Sequence, residues 1–237
     1  MQKRIASLAM LLLLLGCFQT AQAQYSYTIT HNSDTWVGVR GGVNLGGGSL
    51  DSQLQATSNS LRTGIIAGVQ LDHWFNNMII VGVQLLYNQK GMHEEYAEGS
   101  VIHPDLSGTE DFTFNYLEIP ILLKVALSTT SVKPYVFAGP SIGILMSATD
   151  KQALTTPNGT GSLDYKPYLK STDLSLYFGV GLLDELYDGP MLFLDAGYAA
   201  GLSTIYNSTP PNRTGLIDNS SAKTGDIRIA AGVMWKL

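Results

Sequence analysis

The sequence is short of cysteine and of charge. Its one cysteine, Cys17, lies in an N-terminal apolar stretch, and removal of that stretch would leave neither a disulfide nor a thiolate metal site. Charged residues make up 14% of the chain, against about 25% in a typical soluble domain. The 14 Lys and Arg are outnumbered by 19 Asp and Glu, so the net charge is −5 and the chain offers no basic face to nucleic acid.

Long hydrophobic runs are also missing beyond residue 24. No stretch of about 18 apolar residues follows that point, which excludes a transmembrane helix there. The chain is instead rich in glycine, with 25 residues, and carries 12 Tyr, 7 Phe and 3 Trp. This composition suits short, tightly packed β-strands better than helices.

Residues 1–23 have the pattern of a secretory signal peptide. Lys3 and Arg4 precede an apolar segment, and an A-x-A site at 21–23 predicts cleavage between Ala23 and Gln24. The protein is therefore expected to be exported.

A second interpretation of the same segment stays open. Residues 14–17, Leu-Leu-Gly-Cys, resemble a bacterial lipobox, which would make Cys17 a lipidated N-terminus. The two interpretations differ in whether the chain is cleaved before Cys17 or after Ala23.

Beyond the signal peptide, apolar and polar residues alternate with a period of two, the pattern of a strand with two unlike faces. In the first segment Val37, Val39 and Val43 alternate with Arg40 and Asn44. Eight segments show this pattern: 36–45, 64–75, 79–88, 112–127, 135–146, 173–182, 191–201 and 226–237. Each provides the roughly 9 to 11 residues that a tilted strand needs to cross a bilayer core.

Alternation alone would also suit a soluble, lipocalin-like barrel with its apolar face inward, and four features favour the opposite orientation. Four long loops alternate with three short turns, as in outer-membrane barrels with both termini in the periplasm. Glycines fall on the polar face, where an eight-stranded barrel has little room, and that face carries charges of both signs. The chain ends on Gly232, Trp235 and Leu237, which resembles the C-terminal signal read by the bacterial barrel-insertion machinery.

We therefore predict an all-β fold, an eight-stranded antiparallel up-and-down transmembrane β-barrel in the bacterial outer membrane. Residues 24–35 would form a short periplasmic segment, and residues 36–237 the barrel domain. Both termini are expected in the periplasm, with the four long loops on the outside and the three short turns in the periplasm.

The polar face supplies a predicted network of charges in the lumen. Its members are Arg40, Asp72, Glu118, Lys124, Asp195 and Arg228. An eight-stranded barrel is filled by its own side chains, which argues against a general porin. A narrow ion path along these charges is the alternative.

On the fourth segment, Pro120 lies mid-strand and lacks an N–H, so a β-bulge is predicted there.

Candidate catalytic chemistry is confined to the loop predicted at 89–111. His93 and His103 share this loop with Ser100 and Asp105, a set that could bind a divalent cation or form a hydrolase. Neither H-E-x-x-H nor G-x-S-x-G is present in the sequence. We expect no catalytic, cofactor or metal site, with a hydrolase that uses His93 to Asp105 as the alternative.

Three blocks resemble those of the PorT-like outer-membrane β-barrel family of Bacteroidota. They are VRGGVN at 39–44, YLEIPILLK at 116–124 and KPYVFAGP at 133–140, and L-E-I-P is the most specific motif among them. The resemblance implies a small outer-membrane barrel, and the family's namesake takes part in protein secretion. We accordingly expect a non-enzymatic scaffold whose partners are membrane lipid, the insertion machinery and envelope or secretion proteins bound by the outer loops.

Overall fold

The structure is a computed structural model of the chain. It describes residues 31, 33–49, 58–96, 108–154, 160–187, 189–205, 207 and 223–237. The predicted signal peptide, with Cys17, Ala23 and Gln24, lies outside the described residues. Those features stay predictions.

Nine strands and one short 3₁₀ helix, Lys166–Tyr168, are present in the described ranges. The strands are β1 (Asp34–Ser49), β2 (Ser58–Trp74), β3 (Ile79–Tyr96), β4 (Gly108–Ala126), β5 (Val132–Leu154), β6 (Thr160–Asp164), β7 (Thr172–Glu185), β8 (Met191–Thr204) and β9 (Lys223–Lys236). The described residues include no apolar helix of the length that a membrane span requires.

Eight of the strands close into an antiparallel barrel. Each pairs with its neighbours along the chain, β4 pairs with β5, and β1 pairs with β9 to complete the ring. The ninth strand, β6, is short and pairs with the far end of β5 as an extension beyond the ring. The predicted eight-stranded antiparallel barrel is confirmed.

Alternation along each strand separates an outer apolar face from an inner polar face. On β1 and β2, Val39 and Val69 are about half exposed, whereas the adjacent Arg40 and Gln70 are buried. The outer apolar side chains form a continuous belt around the barrel, which we call the apolar belt. Such a belt is what a barrel presents to the hydrocarbon core of a membrane.

Short and long connections occupy opposite ends of the barrel. We call the end at which β1 begins and β9 ends the lower end, and the other the upper end. The short connections 75–78, 127–131 and 186–190 all lie at the lower end. In the first of them Asn76 Oδ1 accepts hydrogen bonds from the backbone N–H groups of Met78 and Ile79, both at 2.9 Å.

The strands extend further at the upper end than the sequence predicts. The predicted loop 89–111 contains the last residues of β3 and the first residues of β4. The predicted loop 147–172 contains the last residues of β5, all of β6 and the 3₁₀ helix. The apolar alternation stops at the edge of the apolar belt, whereas backbone pairing continues past it. The hydrophobic pattern therefore marks the extent of the belt and underestimates the length of the strands.

The predicted bulge at Pro120 is wrong. Pairing continues in one register across this residue, with Pro120 opposite Ser141 on β5. The register shift lies five residues earlier, between Asn115 and Tyr116. A proline removes one hydrogen-bond donor but adds no residue, so neighbouring strands can stay in step past it.

Candidate functional site

All six charged residues predicted for the lumen are buried in the barrel interior. They form three ion pairs across it: Arg40 Nη2 to Asp195 Oδ1 at 2.8 Å, Lys124 Nζ to Asp72 Oδ2 at 2.7 Å, and Arg228 Nη1 to Glu118 Oε2 at 2.8 Å. Charges removed from water are tolerated when paired in this way.

Arg40 and Asp195 are the centre of one group of contacts. Arg40 Nη1 donates to Gln70 Oε1 at 3.1 Å, and the Tyr135 hydroxyl donates to Asp195 Oδ2 at 3.2 Å. The Arg40 guanidinium also lies 5.4 Å from the centroid of the Phe193 ring. The pair is therefore held by hydrogen bonds from two further strands.

A glycine on the intervening strand leaves room for one of these ion pairs. Gly82 on β3 lies between Asp72 on β2 and Lys124 on β4, and a Cβ there would be 2.5 Å from Asp72 Oδ1. With no side chain at position 82, Asp72 and Lys124 can reach each other although they lie two strands apart.

A larger cluster lies nearer the upper end, and we call it the upper charge cluster. Its members are Lys90, Glu118, Asp173, Asp226 and Arg228. Lys90 Nζ lies 2.8 Å from Glu118, 3.2 Å from Asp173 and 3.3 Å from Asp226. Arg228 contacts both Glu118 and Asp226. Each of the two cations in the upper charge cluster therefore contacts more than one carboxylate.

Three members of this cluster are missing from the network predicted from sequence. Lys90 falls in the segment predicted as a loop, although residues 84, 88 and 90 all face inward along β3. Asp173 and Asp226 are on the predicted polar face, but sequence alone does not place them next to Lys90. Continuing the period of two beyond Asn88 would have found Lys90.

Aromatic side chains fill the lower mouth of the barrel. Trp36 and Trp74 are buried there, and the His31 ring stacks on Trp74 with centroids 4.0 Å apart. His31 Nδ1 lies 2.9 Å from Asp34 Oδ2, and Nε2 lies 2.9 Å from Glu185 Oε2. His31 therefore ties the start of β1 to the end of β7 across the opening.

A second aromatic group fills the upper mouth on the side of β4 and β5. Phe112 and Phe114 face inward and are buried together with Tyr165 and Leu169, which flank the 3₁₀ helix, and with Ile205 after β8. The segment is held by backbone hydrogen bonds from Tyr165 N–H to Ala148 O and from Lys170 N–H to Ile205 O. Residues predicted as an outer loop thus pack over the barrel interior.

The stabilising contribution of Glu185 is expected to disappear in acid. Burial alone would raise the pKa of this carboxyl, but hydrogen bonds from His31 and Lys133 hold the pKa below its ordinary value of 4.5. Because the folded-state pKa is lowered, the stabilisation is fully present above pH 4.5 and is lost as pH falls through the folded-state pKa.

The free energy of unfolding, measured from neutral pH to about pH 3, tests this expectation. The values for the wild type and for Glu185→Gln should converge on acidification, because a protonated carboxyl resembles an amide. A difference that stays constant over this range would show that ionised Glu185 contributes nothing.

One residue of the hydrolase alternative lies in a strand. His93 does not lie in a loop but in β3, and its Nδ1 is 2.7 Å from Asp111 Oδ1 on β4. Ser100, His103 and Asp105 lie outside the described residues. Within the described ranges, no group of three His, Cys, Asp or Glu residues is arranged to hold a metal ion.

The predicted insertion-signal residues lie at the lower end of β9 and just beyond it. Trp235 is half exposed on the outer face, Leu237 is exposed, and Gly232 faces the Phe193 ring. Leu237 N–H donates to Thr35 O at 2.9 Å. Their use as an insertion signal stays a prediction.

Comparison with solved structures finds small barrels of bacterial outer membranes. Neisserial surface protein A (NspA) superimposes with a TM-score of 0.51 at 14% identity, over 86% of this chain and 97% of that protein. OprG from Pseudomonas aeruginosa gives 0.48 at 12% identity, over 87% and 97%, and Ail from Yersinia pestis gives 0.41 at 16%, over 86% and 100%. At these identities NspA supports the fold alone.

No curated protein matches the sequence. A family model described as "Outer membrane protein beta-barrel domain" matches residues 21–207, which is most of the chain. The closed barrel, its outer apolar belt and its charged interior agree with that match. The chain belongs to the outer membrane protein beta-barrel domain family.

Proposed function

We propose that this outer-membrane barrel is a non-enzymatic scaffold whose upper segments bind partner proteins in secretion or in maintenance of the envelope. In this proposal the upper end faces outward and both termini lie in the periplasm. The order of short and long connections supports the orientation, because outer-membrane barrels have short periplasmic turns and longer outer loops.

The filled interior is the observation that carries this proposal. Paired charges occupy its middle, and aromatic groups occupy its two mouths, as described for Trp36, Trp74 and Phe112. Side chains that fill an eight-stranded barrel leave no wide aqueous path. A role on the surface of the barrel therefore fits better than transport through it.

The resemblance to the PorT-like family of Bacteroidota adds the link to protein secretion. It rests on the blocks at 39–44, 116–124 and 133–140. In the structure the second and third blocks lie on β4 and β5 and pair with each other. The secretion role belongs to that family's namesake and comes to this chain only as part of the proposal.

Conductance and partner capture together test the scaffold role. The purified barrel in a planar bilayer is expected to show no large, stable conductance. Deleting 208–222, which connects β8 to β9, should preserve membrane insertion and heat-modifiable migration on gels, because these two strands pair directly with each other. Crosslinking in intact cells should then lose partner proteins that the full chain captures.

The opposite results would separate the alternatives. A large conductance with no loop-dependent partner would favour the pore. Substitution of His93, Ser100, His103 and Asp105 by alanine should leave partner capture unchanged, whereas loss of a hydrolytic activity in that variant would favour the enzyme. Segment 147–172 is unsuitable for deletion because Tyr165 and Leu169 are buried.

A further inference from the structure

Two lysines stand on the outer wall at the upper edge of the apolar belt. Lys166 opens the 3₁₀ helix, is exposed, and donates from Nζ to the backbone oxygen of Met146 at 3.0 Å. Met146 is 54% exposed and is the uppermost apolar residue of the belt on β5. The Lys166 ammonium is therefore held where apolar surface gives way to polar surface.

Lys170 lies at the same level of the barrel as Met146, just before β7 begins. The backbone bond from Leu145 N–H to Ser171 O at 2.8 Å places the start of β7 beside Met146. Lys170 is exposed, and its Nζ donates to Thr204 Oγ1, two residues beyond the exposed Leu202 at the top of the belt on β8. Two ammonium groups thus border one stretch of belt formed by β5, β7 and β8.

The charge of these lysines is not neutralised by the bonds described. Both acceptors, a backbone carbonyl and a threonine hydroxyl, are uncharged. An ammonium has three donors, so each lysine keeps capacity for a further acceptor. The nearby carboxylate of Asp164 is occupied in part by the backbone N–H of Lys166, at 3.0 Å.

Exposed cations of the described chain are concentrated at this end. Lys151, Lys166, Lys170 and Lys223 are exposed at the upper end, whereas the exposed Lys236 at the lower end is paired with Asp34 at 2.9 Å. Cations close to a membrane surface attract anionic headgroups, and lysine stems can lie along apolar surface while the ammonium stays in water.

We propose that Lys166 and Lys170 dock the phosphate of a membrane lipid whose acyl chains lie against Met146, Leu174 and Leu202. The apolar belt below and the two cations above match the two halves of such a lipid. The site depends on the barrel being embedded in a membrane and is independent of the proposed scaffold role and of which end faces outward.

Native mass spectrometry of the detergent-solubilised barrel tests the site. The probe is phosphatidic acid, compared with a diacylglycerol that carries the same chains but no phosphate. The wild type should retain phosphatidic acid in preference to the neutral lipid. The double variant Lys166→Ala/Lys170→Ala should weaken that retention by about 10-fold or more, since each cation contributes about 1 kcal/mol near an anionic surface.

Lys151→Ala/Lys223→Ala is the matched control, because it removes two exposed cations from the same end. Retention unchanged by this control and lost in the Lys166/Lys170 variant would support the site. Equal loss in both variants would overturn it in favour of general attraction to the charged end. Displacement of the lipid by inorganic phosphate would overturn it in favour of a free-anion site, and no loss in either variant would exclude a role for both lysines.

Discussion

Replacing Arg228 by alanine is expected to lower the free energy of unfolding by about 3 to 5 kcal/mol, the usual effect of removing one partner from a buried ion pair. Arg228 contacts Glu118 at 2.8 Å and also contacts Asp226, and all three side chains are buried. Without the guanidinium, three carboxylates of the upper charge cluster would share Lys90 alone. The three carboxylates are buried, so their excess negative charge destabilises the folded state.

Reversible denaturant unfolding of the barrel in lipid vesicles or detergent would measure this change. Lys236→Ala is the matched control, because Lys236 also pairs with a carboxylate but is 55% exposed. An exposed pair contributes about 0 to 1 kcal/mol, so the control should stay near the wild type. Equal effects of the two substitutions would mean that the upper charge cluster is solvated, and the assignment of the inner face would be wrong.

The barrel could be predicted from sequence because both faces of every strand have fixed surroundings. In a closed barrel each strand has lipid on one side and packed interior on the other, so one period of two repeats along the whole chain. The adjacent residues Val39 and Arg40 show this, because the first is exposed on the outer face and the second is buried inside. A soluble barrel and a membrane barrel differ in which face is outside. Connection lengths, the glycines and charges of the polar face and the C-terminal residues were needed to choose between them.

Strand ends could not be predicted from the same signal. Above the apolar belt the outer face of β4 and β5 is polar, as at Asn115, which hydrogen-bonds to Tyr87 and Ser147. The register shift next to Asn115 also exchanges the faces of β5, so that Ala148 and Asp150 point inward after Met146 has pointed outward. A sequence pattern that changes phase without a turn looks like a loop.

The sequence also could not predict which of the interior charges form ion pairs with each other. The six predicted charges could pair in many ways, because contacts across a barrel depend on the tilt and stagger of the strands. Arg228 on β9 meets Glu118 on β4, and these strands are not neighbours. The relative height of strands that are not neighbours, which no local pattern records, brings Lys90 on β3 within reach of Asp173 on β7 and Asp226 on β9.

Val83→Arg is expected to cost about 2 to 4 kcal/mol of folding free energy, because it places a charge on the lipid face near the middle of the membrane. Val83 lies at the centre of the outward series on β3, between Val81 and Leu85, and is 41% exposed. A guanidinium there would lie among the apolar outer side chains of Leu71 and Ile121 on the neighbouring strands.

The denaturant-unfolded chain would be folded into lipid vesicles. Heat-modifiable migration on gels would show whether it folds, and a denaturant titration would measure the change in the free energy of unfolding. Ser147→Arg is the matched control, since Ser147 lies on the outer face of β5 just above Met146 and is exposed. Near the interface the cost of an arginine falls to about 0 to 1 kcal/mol, so this variant should fold like the wild type. The penalty at the middle of the membrane comes from the hydrocarbon. If Val83→Arg were as stable as Ser147→Arg, the apolar belt would lie in water and the transmembrane assignment would be wrong.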